Sequence, residues 1–592
     1  MRTGAVLAAI FFAALTPAAS AAQPTAAEAL HALFDDEWGN RLRENPLMAS
    51  RSGVHDYNDR LPSVSPADHQ RRLTADKAFL VRLHAIDRAA LTADDQLNHD
   101  LFAHVVGDRI EGAGFRPWRI PFVSDSGFHT HVLRMADGLA MTTGQDYRDY
   151  IARLRAIPAF FDQNIANMRL GLADGFTMPR AILDGVTPTI ASQIVDDAEA
   201  SPLFEPFTRM PATLAEDERE QLVAAGRAAI AEAVLPAYKR LHQFFVTEYV
   251  PGARQSLGAH DLPDGEAYYR REVRSYTTLD MKPADIHALG LAEVKRIRSE
   301  MAAIIEQVGF DGSFAEFLQF LRTDQRFYVT DPEQLLKEAA WIAKQVDGQM
   351  PAFFGKLPRL PYGVRPVPAD IAPNYTTGRY WGAPVGGMRG GYYMVNTHAV
   401  EQRPLYVLPA LTLHEAVPGH HHQISLAQEI ENVPAFRRAI YLSAFGEGWG
   451  LYSEKLGLEM GLYDTPYKDF GRLTYEMWRA CRLVVDTGIH AFGWTAEQAR
   501  RFMTENTALA LHNIRTEVDR YISWPGQALA YKMGELKILE LRERATAALG
   551  AKFDIRQFHD AVLENGAVPL TILEGRIEAY IKATLSAKGR GY

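Results

Sequence analysis

The chain is short of several things at once, and each shortage removes a class of explanation. Cys481 is the single cysteine in 592 residues, which excludes an internal disulfide and any cysteine-rich zinc site. There is no long basic run and the formal net charge is -9, so no electrostatic footprint for nucleic acid exists. Beyond the N-terminus no segment reaches about 18 uninterrupted apolar residues, the length a membrane helix needs. A GxSxG motif, which would carry a serine nucleophile, is missing. Internal repeats and low-complexity tracts are missing as well. What is present is an ordinary globular composition, 47% hydrophobic and 23% charged, with ample apolar material for a large core.

The first residues, MRTGAVLAAIFFAALTPAASAAQPTA, place Arg2 ahead of an apolar run over 5–15 and the small residues Ala19, Ser20 and Ala21. This is the pattern of a secretory signal over residues 1–21, too short to span a bilayer as a stable helix. No cysteine lies beside the cleavage site to carry a lipid. The mature chain, 22–592, is therefore expected in the periplasm or secreted, with no membrane anchor after signal cleavage.

Along that chain the apolar period is helical. Ser65 with Asp68, Thr92 with Asp95 and Thr495 with Gln498 have the spacing of helix-start capping boxes. Long amphipathic segments are predicted at 144–171, 214–248, 283–309, 331–350, 434–460, 464–491 and 526–548. Strands are predicted only at 118–123, 326–330 and 392–396. The fold is thus mainly α, with a small β element beside the HE segment, as one domain over 22–592 or as two lobes dividing near residue 250. Residues 357–391 are the richest in Pro and Gly and read as an irregular functional connection.

One stretch carries chemistry: HEAVPGHHHQ, residues 414–423. In the HExxH pattern of zinc hydrolases two histidines four apart share a helical face, with the glutamate as general base. Here Pro418 occupies the fourth position after His414. On a straight helix His414 and His420, six apart, point about 120° away from each other, and His421, seven apart, lies about 10.5 Å along the axis. Both are out of reach of an ion bound at about 2.0–2.1 Å. Pro418 and Gly419 supply the remedy, a break between Val417 and His420 that swings a second histidine back. Either His420 or His421 fits that description. A third ligand is offered by AFGEGWGLYSEKLG, where Glu447 is flanked by Gly446, Gly448 and Gly450. Three glycines so close in a helix point to tight backbone approach by another element. Glu454, seven after Glu447, shares its face as ligand or supporting acid.

Together with these motifs, YYRREVRSYTT (268–278), HALGLAEVKRIRSEM (287–301), RLVVDTGIHAFGWTAEQA (482–499) and RYISWPGQALAYKMGELKILELRERA (520–545) resemble the bacterial family called domain of unknown function 885. That family is itself similar to the α-helical, zincin-like gluzincin metallopeptidases. The resemblance implies Zn2+ held by His414, His420 and Glu447, with Glu415 as the base that activates water. For the tetrahedral oxyanion, donors must come from elsewhere. Tyr531 is the first candidate and His490 the second, with Asp486 orienting His490 and Tyr521 a weaker alternative. The β-run 392–396 is expected as an edge strand along the cleft, pairing with an extended peptide, with Asn396 and Arg389 in reach of it. His129 and His131 are read as ordinary polar residues rather than a second metal pair, and Arg542 and Arg544 as solvated helix arginines.

The expected activity is zinc-dependent cleavage of peptide bonds in short peptides. The same residues would also serve a non-peptide amide or ester hydrolase, or a catalytically silent peptide-binding protein. Three ligands plus a base favour an open catalytic position over a closed structural one.

Overall fold

Capping decides where several helices begin. In the computed structural model, which describes residues 24–369, 371–383 and 389–586, Ser65 and Asp68 form a reciprocal box at the head of helix Pro66–His84. Thr495 and Gln498 do the same for Ala496–Asn506. The Thr92 hydroxyl accepts from the Asp95 amide to start Ala93–Gly114, satisfying an otherwise orphaned donor. Segment 1–21, read as a secretory signal, lies outside the described residues, as do 384–388 of the glycine-rich connection.

The long amphipathic segments form helices at Gly144–Asp174, Pro283–Gln307, Pro332–Phe353, Pro466–Phe492 and Ala530–Leu549. A further helical run from Glu216 to Gly252 widens to π geometry at Ile230–Val234 and Phe245–Tyr249. Segment 434–460 is not one helix. It divides into Ala435–Arg438 and Ser443–Leu456, because Leu442 adopts an extended conformation and its carbonyl caps the next turn by accepting from Phe445 and Gly446.

Two of the three expected strands are absent. Residues 118–123 hold a 3-10 turn at Pro117–Arg119 and one isolated bridge from Phe122 to Gly127, since Pro117 and Pro121 remove amides that a ladder needs. Residues 326–330 enter through a 3-10 turn, Gln325–Phe327, capped by Asp324. The third exists as β3, Gly391–Val395, joined by β1, Tyr362–Pro366, and β2, Gly378–Trp381. The sheet order is β1-β3-β2, with β3 parallel to β1 and antiparallel to β2. The run expected at an edge is therefore central, paired on both sides, and β1 and β2 are the edges.

Two large apolar clusters hold the helices. One joins Leu30, Phe34 and Phe102 to Trp449, Ile538 and Ile577, and the other joins Phe161 and Tyr238 to Met301, Tyr406 and Val484. Both cross residue 250, so the apolar core does not divide there. Helix Pro466–Phe492 is buried along most of its length, polar residues included. Helix Ser443–Leu456 lies so close to Ala530–Leu549 that a Cβ on Gly448 would stand 2.5 Å from the Gly534 Cα. The glycine spacing in EGWGLYSEKLG thus marks a backbone contact. Among the described residues no helix is long and apolar enough to cross a membrane.

Candidate metal centre and its cleft

The helix carrying His414 and Glu415, Leu408–Glu415, stops at Ala416, and a second helix, His420–Gln428, starts after Gly419. The break lies where Pro418 and Gly419 predict it. Gly419 fits against the preceding turn only because it lacks a side chain: a Cβ there would stand 2.0 Å from the His414 carbonyl oxygen. The exposed carbonyls of the break are satisfied locally. Trp449 Nε1 donates to Pro418 O at 2.7 Å, and His421 N donates to Ala416 O at 3.1 Å.

This turn brings His420, not His421, back to His414. Ligand atoms of His414, His420 and Glu447 all lie within 4.8 Å of one another. Glu447 Oε2 stands 3.4 Å from His414 Nε2 and 3.3 Å from His420 Nε2. Those separations are long for charge-assisted hydrogen bonds, but two ligands at a tetrahedral angle around an ion bound at about 2.0–2.1 Å stand about 3.3–3.4 Å apart. The donor set therefore fits a divalent ion such as zinc. His421 points elsewhere, with its Nδ1 shared between Tyr380 Oη at 3.0 Å and Ser425 Oγ at 3.2 Å.

Electrostatics separate the histidines. Burial works to lower the His414 pKa, but hydrogen bonds to Glu447 and Glu454 outweigh it and bring it up to about 10. His421 and His422 are pushed by burial down to about 4 and about 3. Burial likewise disfavours the charged Glu447 carboxylate, yet His420 and His414 hold it well below the ordinary range.

Supporting contacts fix the ligands. His414 Nδ1 donates to Glu454 Oε1 at 2.8 Å, which turns Nε2 toward Glu447; Glu454 thus orients a ligand and does not join the cluster. Gly450 makes room for the imidazole, since a Cβ there would stand 2.7 Å from His414 Cε1. Tyr441 Oη donates to Glu447 Oε1 at 3.0 Å. Glu415 Oε2 accepts the Tyr380 amide of β2 at 2.7 Å, so this edge strand aims the carboxylate.

The cluster opens on a cleft of about 510 Å³ lined by Glu415, Tyr531, β2 residues Gly378 to Tyr380, and helices Pro466–Phe492 and Leu511–Ser523, a volume within the range of ligand pockets. Tyr531 stands with its ring 6.5 Å from that of His414. Several expected residues are not brought here. His490 has both nitrogens occupied by backbone, Nδ1 accepting from Ala259 N at 3.0 Å and Nε2 donating to Tyr521 O at 2.9 Å. Asp486 accepts from Tyr269 Oη and the Gly526 amide instead of orienting His490. Tyr521 is buried against Trp478 and Arg482. Asn396 clamps the carbonyls of Ala372, Tyr375 and Thr376, and Arg389 is exposed on backbone carbonyls of its own loop. His129 and His131, read as ordinary polar residues, lie in a short helix, Phe128–His131, with His129 bonded to Thr189. Arg542 and Arg544 pair with Glu459 and Glu540, away from the cleft.

Sequence reasoning missed Tyr441 and four arginines of the cleft wall, Arg379, Arg479, Arg482 and Arg520. A signal for two of them existed. Arg472, Glu476, Arg479, Arg482, Asp486 and His490 recur at helical spacing through a helix whose other residues are largely apolar, and such a charged row in a buried helix needs partners or a cavity.

Fold and cleft together define a large, mainly helical protein built around a His-His-Glu cluster that faces a cleft lined by both charged and apolar side chains. The chain belongs to the DUF885 family of bacterial proteins of unknown function, whose model matches residues 46–577. A crystal structure described as a "putative lipoprotein" from Colwellia psychrerythraea is similar at 28% identity and a TM-score of 0.89, over 95% of this chain and 100% of that one. A second, a "putative lipoprotein of unknown function" from Shewanella oneidensis, shares the fold at 18% identity and a TM-score of 0.71, over 93% and 99%. No curated protein matches the chain.

Proposed function

We propose that this protein is a metal-dependent hydrolase that cleaves peptide bonds of short peptides outside the cytoplasm. One observation carries the reading: three ligand atoms of His414, His420 and Glu447 converge within 4.8 Å on a cleft that Glu415 also lines. Three protein ligands, rather than four, leave a position for water or substrate. Resemblance to gluzincin peptidases points the same way.

His414, His420 and Glu447 would hold the ion, oriented by Glu454 and Tyr441. A zinc ion there would polarise the scissile carbonyl and acidify a water molecule. Glu415, with Oε2 held by the Tyr380 amide, offers Oε1 to accept the proton of that water and deliver it to the departing amine. Tyr531 Oη accepts from Arg520 Nη2 at 3.5 Å, which leaves the phenol hydrogen free to donate to the developing oxyanion. Substrate lies against β2 rather than β3.

Metal analysis and a peptide-library digest of wild type, Glu415→Gln and His420→Ala test the proposal. We expect Glu415→Gln to keep its metal while turnover falls about 10²–10⁴-fold, and His420→Ala to lose metal and turnover together. A metal-loaded wild type that cleaves no library peptide would sink the peptidase reading in favour of a silent peptide-binding protein.

A further inference from the structure

The cleft wall beyond Tyr531 carries more positive charge than the proposed hydrolysis uses. Arg482 and Arg520 share a single carboxylate: Arg482 Nη2 donates to Glu517 Oε2 at 2.8 Å, and Arg520 Nη1 stands 3.7 Å from the same oxygen. Two guanidiniums against one carboxylate leave one positive charge, the complement of a monoanion. The rest of Arg520 is held lightly, by Gln527 Oε1 at 2.7 Å and by the long contact to Tyr531.

Arg482 shows that the arrangement is incomplete. It is 2% exposed and lines the cavity, yet its Nη1 has no hydrogen-bond partner. An unpaired donor on a buried charge is costly. Nε and Nη2 are satisfied by Tyr521 and Glu517, so the unmet capacity is confined to one edge of the fork. The Arg379 side chain, exposed on β2 and also lining the cavity, makes no ion pair or hydrogen bond among the described residues. Arg479 differs in having an acid apart from this pair, Glu454 at 3.2 Å, although its Nε also lacks a partner.

Distance assigns the ligand its place. The Tyr531 ring lies 6.5 Å from the His414 imidazole and 4.3 Å from the Arg482 guanidinium. The metal ligands and Arg482 are therefore neighbours of one aromatic ring. An extended chain advances about 3.3–3.6 Å per residue, so a group on Arg482 sits one or two residues from a carbonyl at the metal cluster. We infer that Arg482 and Arg520 form a carboxylate-binding subsite, which receives the free carboxylate of a substrate chain one or two residues beyond the scissile bond. Resting on the hydrolase reading above, this makes the protein a carboxypeptidase that releases a C-terminal residue or dipeptide. An aspartate or glutamate side chain would present the same chemistry from an internal position.

Binding separates the subsite from the reaction. Acetylated tetrapeptides of one sequence, ending either in a free acid or in an amide, are titrated calorimetrically into the Glu415→Gln protein, with and without added zinc. A third peptide ends in an amide and carries glutamate at its third residue. We expect the free acid to bind about 10- to 100-fold more tightly than the plain amide, the gain of a hydrogen bond to a charged group. In Arg520→Gln, whose side chain is 19% exposed, and in Arg482→Met that ratio should collapse toward one. Equal affinity of acid and amide in the parent protein overturns the subsite, whatever the digest shows. Preference for the glutamate amide over the free acid keeps the subsite and overturns the carboxypeptidase assignment. Failure of the library digest alone removes the reaction and leaves this ratio to be read. Arg520→Gln decides the matter if Arg482→Met does not fold.

Discussion

Helix Pro466–Phe492 joins two ionic clusters one turn apart, through Arg472 and Glu476 in one and Arg479 in the other, and the two are built differently. In the sealed one, Lys532 Nζ reaches Glu535 at 2.6 Å, Glu476 at 2.9 Å and Glu293 at 3.1 Å. Arg472 joins Glu476 at 2.9 Å, and Arg296 bridges Glu476 and Glu293. Three carboxylates converge on Lys532, and Asp469 and Glu300 add partners to Arg472 and Arg296, so every cation there is paired within the chain. In the cleft cluster, Glu415, Glu447 and Glu454 face one fixed cation, Arg479, plus the imidazoles of His414 and His420. With neutral histidines two negative charges remain, which is the complement of a divalent ion. Against the effect of burial, hydrogen bonds to two of these carboxylates, Glu447 and Glu454, bring the His414 pKa up to about 10. The chain thus makes permanent the ion pairs that hold helices together and leaves exchangeable the charge that would do chemistry.

The largest effect that follows concerns the sealed cluster. Lys532 is fully buried, so Lys532→Met strands Glu476, Glu535 and Glu293 without their common cation. We expect a loss of about 3–5 kcal/mol in unfolding free energy, measured by denaturant titration, while the folded fraction keeps the metal content of wild type. Loss of metal with unchanged stability would reverse the roles of the two clusters.

A smaller effect should come from Glu454→Gln in the cleft cluster. Its carboxylate, 1% exposed, fixes the His414 ring and neutralises Arg479. Zinc affinity should fall about 10–100-fold, measured by competition with a chelator, with the ligands themselves intact. An unchanged affinity would reduce Glu454 to a counterion for Arg479, and the cleft cluster would then owe the metal one charge less.

How much of this was legible in the sequence follows from the range over which each feature is decided. The break at Pro418 and Gly419, the caps at Ser65 and Thr495 and the close packing at Gly448 depend on a few consecutive residues, and each is present. The division of 434–460 was missed because helical periodicity continues across Leu442 although the backbone does not. Placing 392–396 at an edge failed because nothing local says that β1 and β2 flank it. His490 misled because an Asp–His spacing of four predicts a shared face, not which neighbour occupies it; here Tyr521 and Ala259 do. The arginine wall gathers positions 379, 479, 482 and 520 from β2 and two helices. Only tertiary packing creates that juxtaposition.

The finest discrimination lies inside the histidine run. His420 and His421 are adjacent, both nearly buried, and spacing alone cannot choose between them. Geometry does: His420 Nε2 stands 3.3 Å from Glu447, whereas His421 Nδ1 is engaged by Tyr380 and Ser425 on the other side of the helix. His421 is also kept neutral, pushed by burial down to about 4, so it brings no charge to the cluster. In His421→Gln the amide can replace one of the lost hydrogen bonds. We expect a stability change of about 1 kcal/mol and full zinc content by elemental analysis. Because Tyr380 also donates its amide to Glu415, a modest drop in turnover without loss of metal would show β2 shifting the base. Loss of zinc from His421→Gln together with its retention in His420→Ala would transfer the ligand role by one residue, and the break at Gly419 would have to turn the chain further than its geometry indicates.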